Sequence, residues 1–259
     1  MAKAKTVAII QARMGSSRLP GKVLLDLAGR SVLDRVIARL RRARLIDALM
    51  VATTADSSDD PLALHCMEEG IACSRGSVLD VLDRYRQAAA ASGAEVIVRV
   101  TADCPMIDPE EVDRVIAAFH QSGCDFAANR LPPPFERSTP IGMDTEVCSR
   151  AALERAWQEA QEAFEREHVM PYLYTVPGRF KVQVLDMQPS MGHLRFTVDT
   201  PQDLEMARLV YAYFGGRDDF SLQELLAANE AHPEWQAMVS TVVHKGFRDV
   251  DARAAGGGA

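Results

Sequence analysis

The chain has 259 residues, 47% hydrophobic and 25% charged, an ordinary globular composition with length enough for one large domain. Its 29 basic and 36 acidic residues leave a net charge of −7, which argues against non-specific binding to nucleic acid or an anionic membrane but not against a local basic pocket for a phosphate-bearing small molecule. No apolar run approaches the roughly 18 residues that span a bilayer, residues 1–5 are too short for a signal peptide, and the five scattered cysteines form no CxxC pair that would suggest a disulfide framework or structural zinc. The sequence reads as that of a cytoplasmic protein.

Through the first half, short apolar runs alternate with amphipathic stretches, the pattern of βαβ units around a mostly parallel sheet. The β-branched run Thr6–Gln11 predicts a buried strand, followed by a loop over residues 12–22. Ser31 and Asp34 then form a capping box opening a helix, with Leu33, Val36, Ile37 and Leu40 as its apolar stripe and Arg35, Arg39, Arg41, Arg42 and Arg44 on its solvated face. Residues 48–53 predict a second strand; a helix runs from Asp60-Pro61 to Gly70, and another spans 77–91, stopped by Gly93. Residues 95–101 predict a strand that breaks at Asp103-Cys104-Pro105, and Asp108 caps the next helix.

After residues 125–129 the rhythm changes. A proline-rich loop (Leu131-Pro132-Pro133-Pro134) leads into 143–148, a helix over 150–164, then 167–175 and a strand over 181–185. Residues of about 130–190 therefore read as a β-rich insertion, a place for substrate or subunit contacts. Residues 195–198 are expected to return to the sheet, and Thr200–Asp203 and Ser221–Glu224 cap two further helices. The expected organisation is a single domain over 1–253 and a tail, 254–259 (AAGGGA), that cannot bury a core and is expected to be disordered.

The densest chemistry lies in the first loop, where Arg13, Arg18 and Lys22 crowd with Ser16 and Ser17 directly after a strand. In open α/β sheets ligands bind beyond the carboxyl ends of strands. Backbone N–H groups, hydroxyls, guanidinium forks and an ammonium together suit a polyphosphate. The spacing is neither that of a P-loop nor that of a GxGxxG dinucleotide site.

The string Ala12-Arg13-x-x-Ser16-x-Arg18-Leu19-Pro20-Gly21-Lys22 resembles the signature of the cytidylyltransferases that activate acidic sugars, the 3-deoxy-manno-octulosonate and acylneuraminate enzymes. The closer likeness is to their spore-coat polysaccharide biosynthesis relatives, whose opening looks like QARxGSxRLPGK. The resemblance continues at Arg75-Gly76-Ser77 with residues 80–85, at 98–108 (VRVTADCPMID), at Glu167-His168-Val169 with Pro171-Tyr172, and at 195–201 (RFTVDTP). It spans about residues 5–215; nothing from about 216 onward matches.

The resemblance implies a nucleotide-binding α/β fold of the glycosyltransferase A type, a Rossmann-like, mostly parallel sheet. It implies attack of an acidic sugar or related acceptor on the α-phosphate of CTP, giving a CMP-linked product and pyrophosphate, with Mg²⁺ required. Arg13, Arg18 and Lys22 would neutralise the departing phosphates, and Gly15, Ser16 and Ser17 would hydrogen-bond them. Asp103 and Asp199 would hold the metal, although on residues alone each also reads as a turn or helix cap. Arg75, Ser77 and Asp80 would meet the nucleoside, with helix capping the alternative for Ser77 and Asp80, while Thr101 and Ala102 would lie under the ribose. Asp144 and Glu146 share a face of one expected strand, and with Arg166, His168 and Arg195 they are the acceptor-binding candidates; pairing to an acid is the alternative for Arg195.

His65, His120, His193, His232 and His244 read as structural, and nothing beside Cys104 argues for a nucleophile. A homodimer through the insertion is expected, with Phe135, Met143, Tyr172 and Tyr174 either at that surface or in the core. Two further readings stay open: transfer from another nucleotide to a sugar 1-phosphate or a cofactor, and a nucleotide-binding homologue without turnover.

Overall fold

The computed structural model describes residues 4–131, 135–243 and 250, so the expected tail 254–259, His244 and Pro132-Pro133-Pro134 lie outside the described residues. The strands in chain order are β1 (Thr6–Gln11), β2 (Asp26–Leu27), β3 (Arg30–Ser31), β4 (Ala48–Thr54), β5 (Cys73–Gly76), β6 (Val96–Thr101), β7 (Phe126–Ala128), β8 (Glu146–Ser149) and β9 (Val182–Val184). The helices are α1 (Val32–Leu40), α2 (Asp60–Glu68), α3 (Val81–Ser92), α4 (Pro109–Ser122), α5 (Arg150–Glu159), α6 (Ala163–His168), α7 (Pro171–Tyr174), α8 (Pro201–Tyr213), α9 (Leu222–Ala231) and α10 (Glu234–Val239). Strands β2 and β3 pair with each other, and the other seven form one sheet in the order β5-β4-β1-β6-β8-β7-β9.

The expected parallel core is present: β1 runs parallel to both β4 and β6, and β4 to β5. Only β8 runs against its neighbours, β6 and β7. Because side chains alternate along a strand, Ala8, Ile10, Val98 and Val100 face one way, where α1 and α4 supply Val36, Leu40, Val112 and Ile116. Val7, Ile9 and Ile97 face the other way, against Leu82, Tyr85 and Ala89 of α3 and Leu153 of α5. Burial of each such aliphatic chain is worth about 1.5–3 kcal/mol, so both faces are held independently. A third cluster joins α8, α9 and α10 to Phe196 and Val198.

The chain leaves β1 for β4 and β5 on one side and then returns to β6 on the other. This reversal between β1 and β6 opens a crevice beyond their carboxyl ends, where α/β sheets bind ligands.

Several local expectations are corrected. Segment 130–190 is richer in helix than in strand, contributing β8 and β9 but also α5, α6 and α7. The helix expected over 150–164 divides, because Ala160 turns to an extended ψ of 125° and Glu162 with Glu165 forms a capping box that restarts the chain as α6. Helix α3 begins at Val81 rather than 77, since the Asp80 carboxylate accepts from the Asp83 N–H and fixes the first turn there. Residues 195–198 do not rejoin the sheet; their one β contact is a bridge between Arg195 and Ile141.

Arg35 and Arg39 are not solvated but 2% and 0% exposed. Arg35 donates to the carbonyls of Leu27 and Gly216 and pairs with Asp218, and Arg39 donates to the carbonyls of Ile107, Asp218 and Phe220. Their guanidinium carbons lie 4.3 Å from the Tyr211 ring centre and 4.1 Å from that of Phe220. An amphipathic wheel counts them polar, but a guanidinium with carbonyl partners and an aromatic face can be buried. Met143 and Tyr172 belong to the core, whereas Phe135 is half exposed.

Candidate active site

The crevice is a cavity of about 890 Å³ that collects residues from loop 12–22, β6, the 141–146 segment, α6 and the 197–199 segment. That volume suits a nucleotide with a small co-substrate.

At one end of it, the 12–22 loop winds around one carbonyl. The Met14 carbonyl accepts from the N–H groups of Ser16 (3.0 Å) and Gly21 (2.9 Å), and Gly21 takes a left-handed φ of 70° that favours glycine. The Met14 N–H in turn donates to the buried carboxylate of Asp59 at 2.6 Å. Arg13, Gly15, Ser16, Ser17, Arg18 and Lys22 consequently all line the cavity.

Asp103 and Asp199 stand far apart in sequence and are joined here by main-chain hydrogen bonds. The Asp103 carbonyl accepts from the Val198 N–H at 2.7 Å and from the Thr197 hydroxyl at 2.9 Å. Gly142 makes room for this crossing: at φ 103° a Cβ there would sit 2.7 Å from the Phe196 carbonyl carbon. The 195–198 segment therefore serves the site as a strap that delivers Asp199 beside Asp103.

Lys22 Nζ lies between the two, 2.7 Å from Asp103 Oδ2 and 2.8 Å from Asp199 Oδ1. Thr101 donates its hydroxyl to the other oxygen of Asp103 at 2.6 Å, and Arg195 occupies the other oxygen of Asp199 at 2.8 Å. Arg18 adds a contact to Asp199 at 3.1 Å. Burial alone would lower the Lys22 pKa, but the two carboxylates outweigh it and raise it above the ordinary lysine value. Burial would likewise raise that of Asp199, yet Lys22, Arg18 and Arg195 hold it well below the usual carboxylate range. Burial pushes the Cys104 thiol well up, in keeping with no nucleophilic role.

The two carboxylates thus converge on one point, which the Lys22 ammonium holds. No cluster of three or more metal-ligating side chains exists among the described residues. Two carboxylates with phosphate oxygens and water is the donor set that Mg²⁺ takes in nucleotide sites, so Asp103 and Asp199 fit it.

The opposite end is built from paired charges. Arg99 pairs with Glu146 across β6 and β8 and donates to the Gln11 side chain at 3.2 Å. Asp144 precedes β8 rather than lying on it, and Arg137 grips it with two bonds of 2.6 and 3.1 Å. Arg130, Glu167, His168 and Tyr174 complete this wall.

Most of the sequence-derived candidates meet here: besides the loop residues, the cavity is lined by Thr101, Ala102, Asp103, Asp144, Glu146, His168 and Asp199. Arg75, Ser77, Asp80, Arg166 and Arg195 are not on its lining. Arg75 is engaged by the carbonyls of Thr54 and Asp56 and by Asp60. Ser77 accepts from the Asp80 N–H, and Asp80 caps α3 and pairs with Arg166. Arg166 also donates to the Trp157 carbonyl at 2.7 Å, and Arg195 is fixed by Asp199 and Asp203. Arg99, Arg130 and Asp59 were missed. Arg99 sits mid-strand among β-branched residues, where only the cross-strand partner Glu146 gives it meaning, and Asp59 lies in a polar turn with no distinguishing pattern.

Comparison with known proteins places this geometry. The family model described as cytidylyltransferase matches residues 7–224. The chain is 35% identical over 233 residues to the spore coat polysaccharide biosynthesis protein SpsF of Bacillus subtilis, covering 87% of this chain and 94% of that protein. It is 31% identical over 242 residues to the 3-deoxy-manno-octulosonate cytidylyltransferase of Anaeromyxobacter dehalogenans, covering 79% of this chain and 96% of the relative. Among solved structures, a cytidylyltransferase from Leptospira borgpetersenii superimposes with a TM-score of 0.84 at 29% identity over 94% of this chain and all, 100%, of that one. The chain is a nucleotidyltransferase and belongs to the cytidylyltransferase family.

Proposed function

We propose that the protein transfers CMP from CTP to an acidic sugar, releasing pyrophosphate, in the assembly of a surface polysaccharide. The observation that carries this reading is the convergence of Arg13, Arg18 and Lys22 with Asp103 and Asp199 at the β1–β6 reversal, opposite a wall of hydrogen-bonding carboxylates. The relatives' names, which include a polysaccharide biosynthesis protein and a sugar-acid cytidylyltransferase, support the substrate class.

In this reaction an acceptor oxygen bonds to the α-phosphorus as the bond to the bridging oxygen of pyrophosphate breaks, and the acceptor hydroxyl gives up its proton to solvent. Such transfers depend on positioning and on meeting charge at the phosphate oxygens. Arg13, Arg18 and Lys22 meet the β- and γ-phosphates, and the hydroxyls of Ser16 and Ser17 hydrogen-bond them. Asp103 and Asp199 would hold Mg²⁺, which supplies further positive charge to the phosphates. Thr101 and Arg195 keep the two aspartates turned toward one another. No covalent intermediate is involved.

The test is thermal melting with CTP, UTP, GTP and ATP, each with and without Mg²⁺. A ligand at a hundred times its Kd adds about 2.7 kcal/mol, and each kcal/mol moves Tm by about 2–4 °C in a chain of this size. The expected result is a Mg²⁺-dependent shift of several degrees for CTP above the others. A larger shift with another nucleotide overturns the choice of CTP, and no shift with any overturns the reading.

A further inference from the structure

The cations around Asp103 and Asp199 are of two kinds. Arg195 is fixed: its side chain is 5% exposed, and its fork is held by the fully buried Asp203 as well as by Asp199. Lys22 Nζ bonds to Asp103 Oδ2 and Asp199 Oδ1, while the second oxygen of each carboxylate is engaged by the Thr101 hydroxyl or by Arg195. The oxygens that converge are therefore the two that carry the ammonium. Lysine is a point charge on a flexible four-carbon stem and can leave them without moving the main chain, whereas a guanidinium fork bound on both sides cannot. Lys22 lines the cavity from the same loop as Arg13 and Arg18, so its stem is rooted where the triphosphate is proposed to lie. The cluster is also balanced in charge, with Lys22, Arg18 and Arg195 against Asp103, Asp199 and Asp203.

Building on the proposed function, we infer that Lys22 is the resident cation of this point in the nucleotide-free protein, and that a divalent cation is admitted there only together with a triphosphate, whose oxygens draw the ammonium away from the carboxylates. An ammonium and a dication cannot share the same two oxygens, because like charges a few ångströms apart repel strongly where little water screens them. Added to the balanced cluster, a dication leaves an excess of positive charge, and the triphosphate brings the compensating negative charge. Two carboxylates are also too few to hold Mg²⁺ unaided, since its other ligands in nucleotide sites are phosphate oxygens and water. A ligand shifts such an equilibrium only by favouring one arrangement over the other, and phosphate oxygens do so by offering the ammonium new partners. One event thus frees the aspartates and carries the ammonium to the phosphates.

The experiment counts Mn²⁺, as the probe cation, retained by the full chain after ultrafiltration with and without CTP, which passes the membrane when not bound. Wild type, Asp103→Asn, Lys22→Met, Lys22→Gln and the double variant Lys22→Met with Asp103→Asn are compared, and their melting curves with Mn²⁺ and with CTP are recorded alongside. The expected result is little Mn²⁺ on wild type alone and close to one equivalent with CTP. Lys22→Met and Lys22→Gln hold Mn²⁺ without CTP at least tenfold more tightly than wild type, and Asp103→Asn abolishes that gain. Mn²⁺ alone raises the Tm of both Lys22 variants and leaves that of wild type unchanged. Wild type that holds one Mn²⁺ tightly without CTP, and loses it in Asp103→Asn, overturns the inference whether or not the Lys22 variants fold. Folded Lys22 variants with a Mn²⁺ affinity within twofold of wild type overturn it too. No gain of Mn²⁺ by wild type on adding CTP also overturns it; the proposed function then stands if CTP still shifts the wild-type melt, and falls as well if it does not.

Discussion

The two ends of the cavity are built on different plans. The end proposed to take the phosphates is one continuous loop wrapped on its own Met14 carbonyl, plus two aspartates brought together by the 195–198 strap. The end proposed to take the acceptor is assembled from β6, β8, Arg130, residues 141–144 and α6–α7, and most of its charges are matched by side chains of opposite sign. The first plan gathers its cations on one short stretch of chain and sets two of them, Arg18 and Lys22, against the aspartates. The second spends its charges on pairs that fix the shape of the wall.

The sharpest way to break this contrast is Asp103→Asn. Loss of one of two converging carboxylates should lower pyrophosphate release by roughly a thousandfold, with the melting temperature close to wild type, because Lys22 keeps Asp199. A near-wild-type rate would show that the two aspartates are a structural clasp.

Next in size is Glu146→Gln, which strands Arg99 with 14% of its side chain exposed. Removing one partner of a buried ion pair costs about 3–5 kcal/mol, so Tm should fall by roughly 10 °C. Calorimetry reads it directly, and a fall of a degree or two would mean that the acceptor wall is not held by its pairs.

A smaller effect shows how the aspartate end responds to pH. The Asp199 carboxyl is held below its ordinary value, so its stabilisation is complete above about pH 4 and is lost as pH falls further. The Lys22 ammonium is held above its ordinary value, so its share is complete below about pH 10 and is lost at higher pH. The stability gap between wild type and Asp199→Asn should therefore stay constant from about pH 5 to pH 9 and narrow below pH 4. A gap that changes near neutrality would point to a different titrating group.

The smallest expected effect is that of Arg75→Ala. Its partners are two carbonyls and the exposed Asp60, and pairs of that kind are worth about 0–1 kcal/mol. The CTP-induced melting shift should survive; its loss would return Arg75 to the nucleoside site.

Legibility followed the range of the interactions. Strands β1 and β6 and the caps at Ser31, Asp108 and Thr200 rest on neighbours a few residues away, and the sequence pattern places them well. The phosphate loop was legible because its cations lie within ten residues of one another on one stretch of chain. What escaped depends on partners far along the chain. Arg99 needs Glu146, and Arg166 is claimed by Asp80, 86 residues away. The 195–198 segment has the composition of a strand, but its donors are taken by Asp103 and Ile141. Periodicity cannot show that a β-like run will be used as a strap.

Arg35 and Arg39 grip the stretch 216–220 almost entirely through its main-chain carbonyls. Carbonyls are offered by every residue type, so at these bonds the clamp recognises a path of the chain, and only the Asp218 carboxylate and the Phe220 ring add side-chain contacts to it. The clamp itself cannot be replaced by lysine, which with one ammonium in place of a planar fork could not reach three carbonyls at once. The anchoring of the last helices is thus written in α1, some 180 residues upstream of the segment it holds.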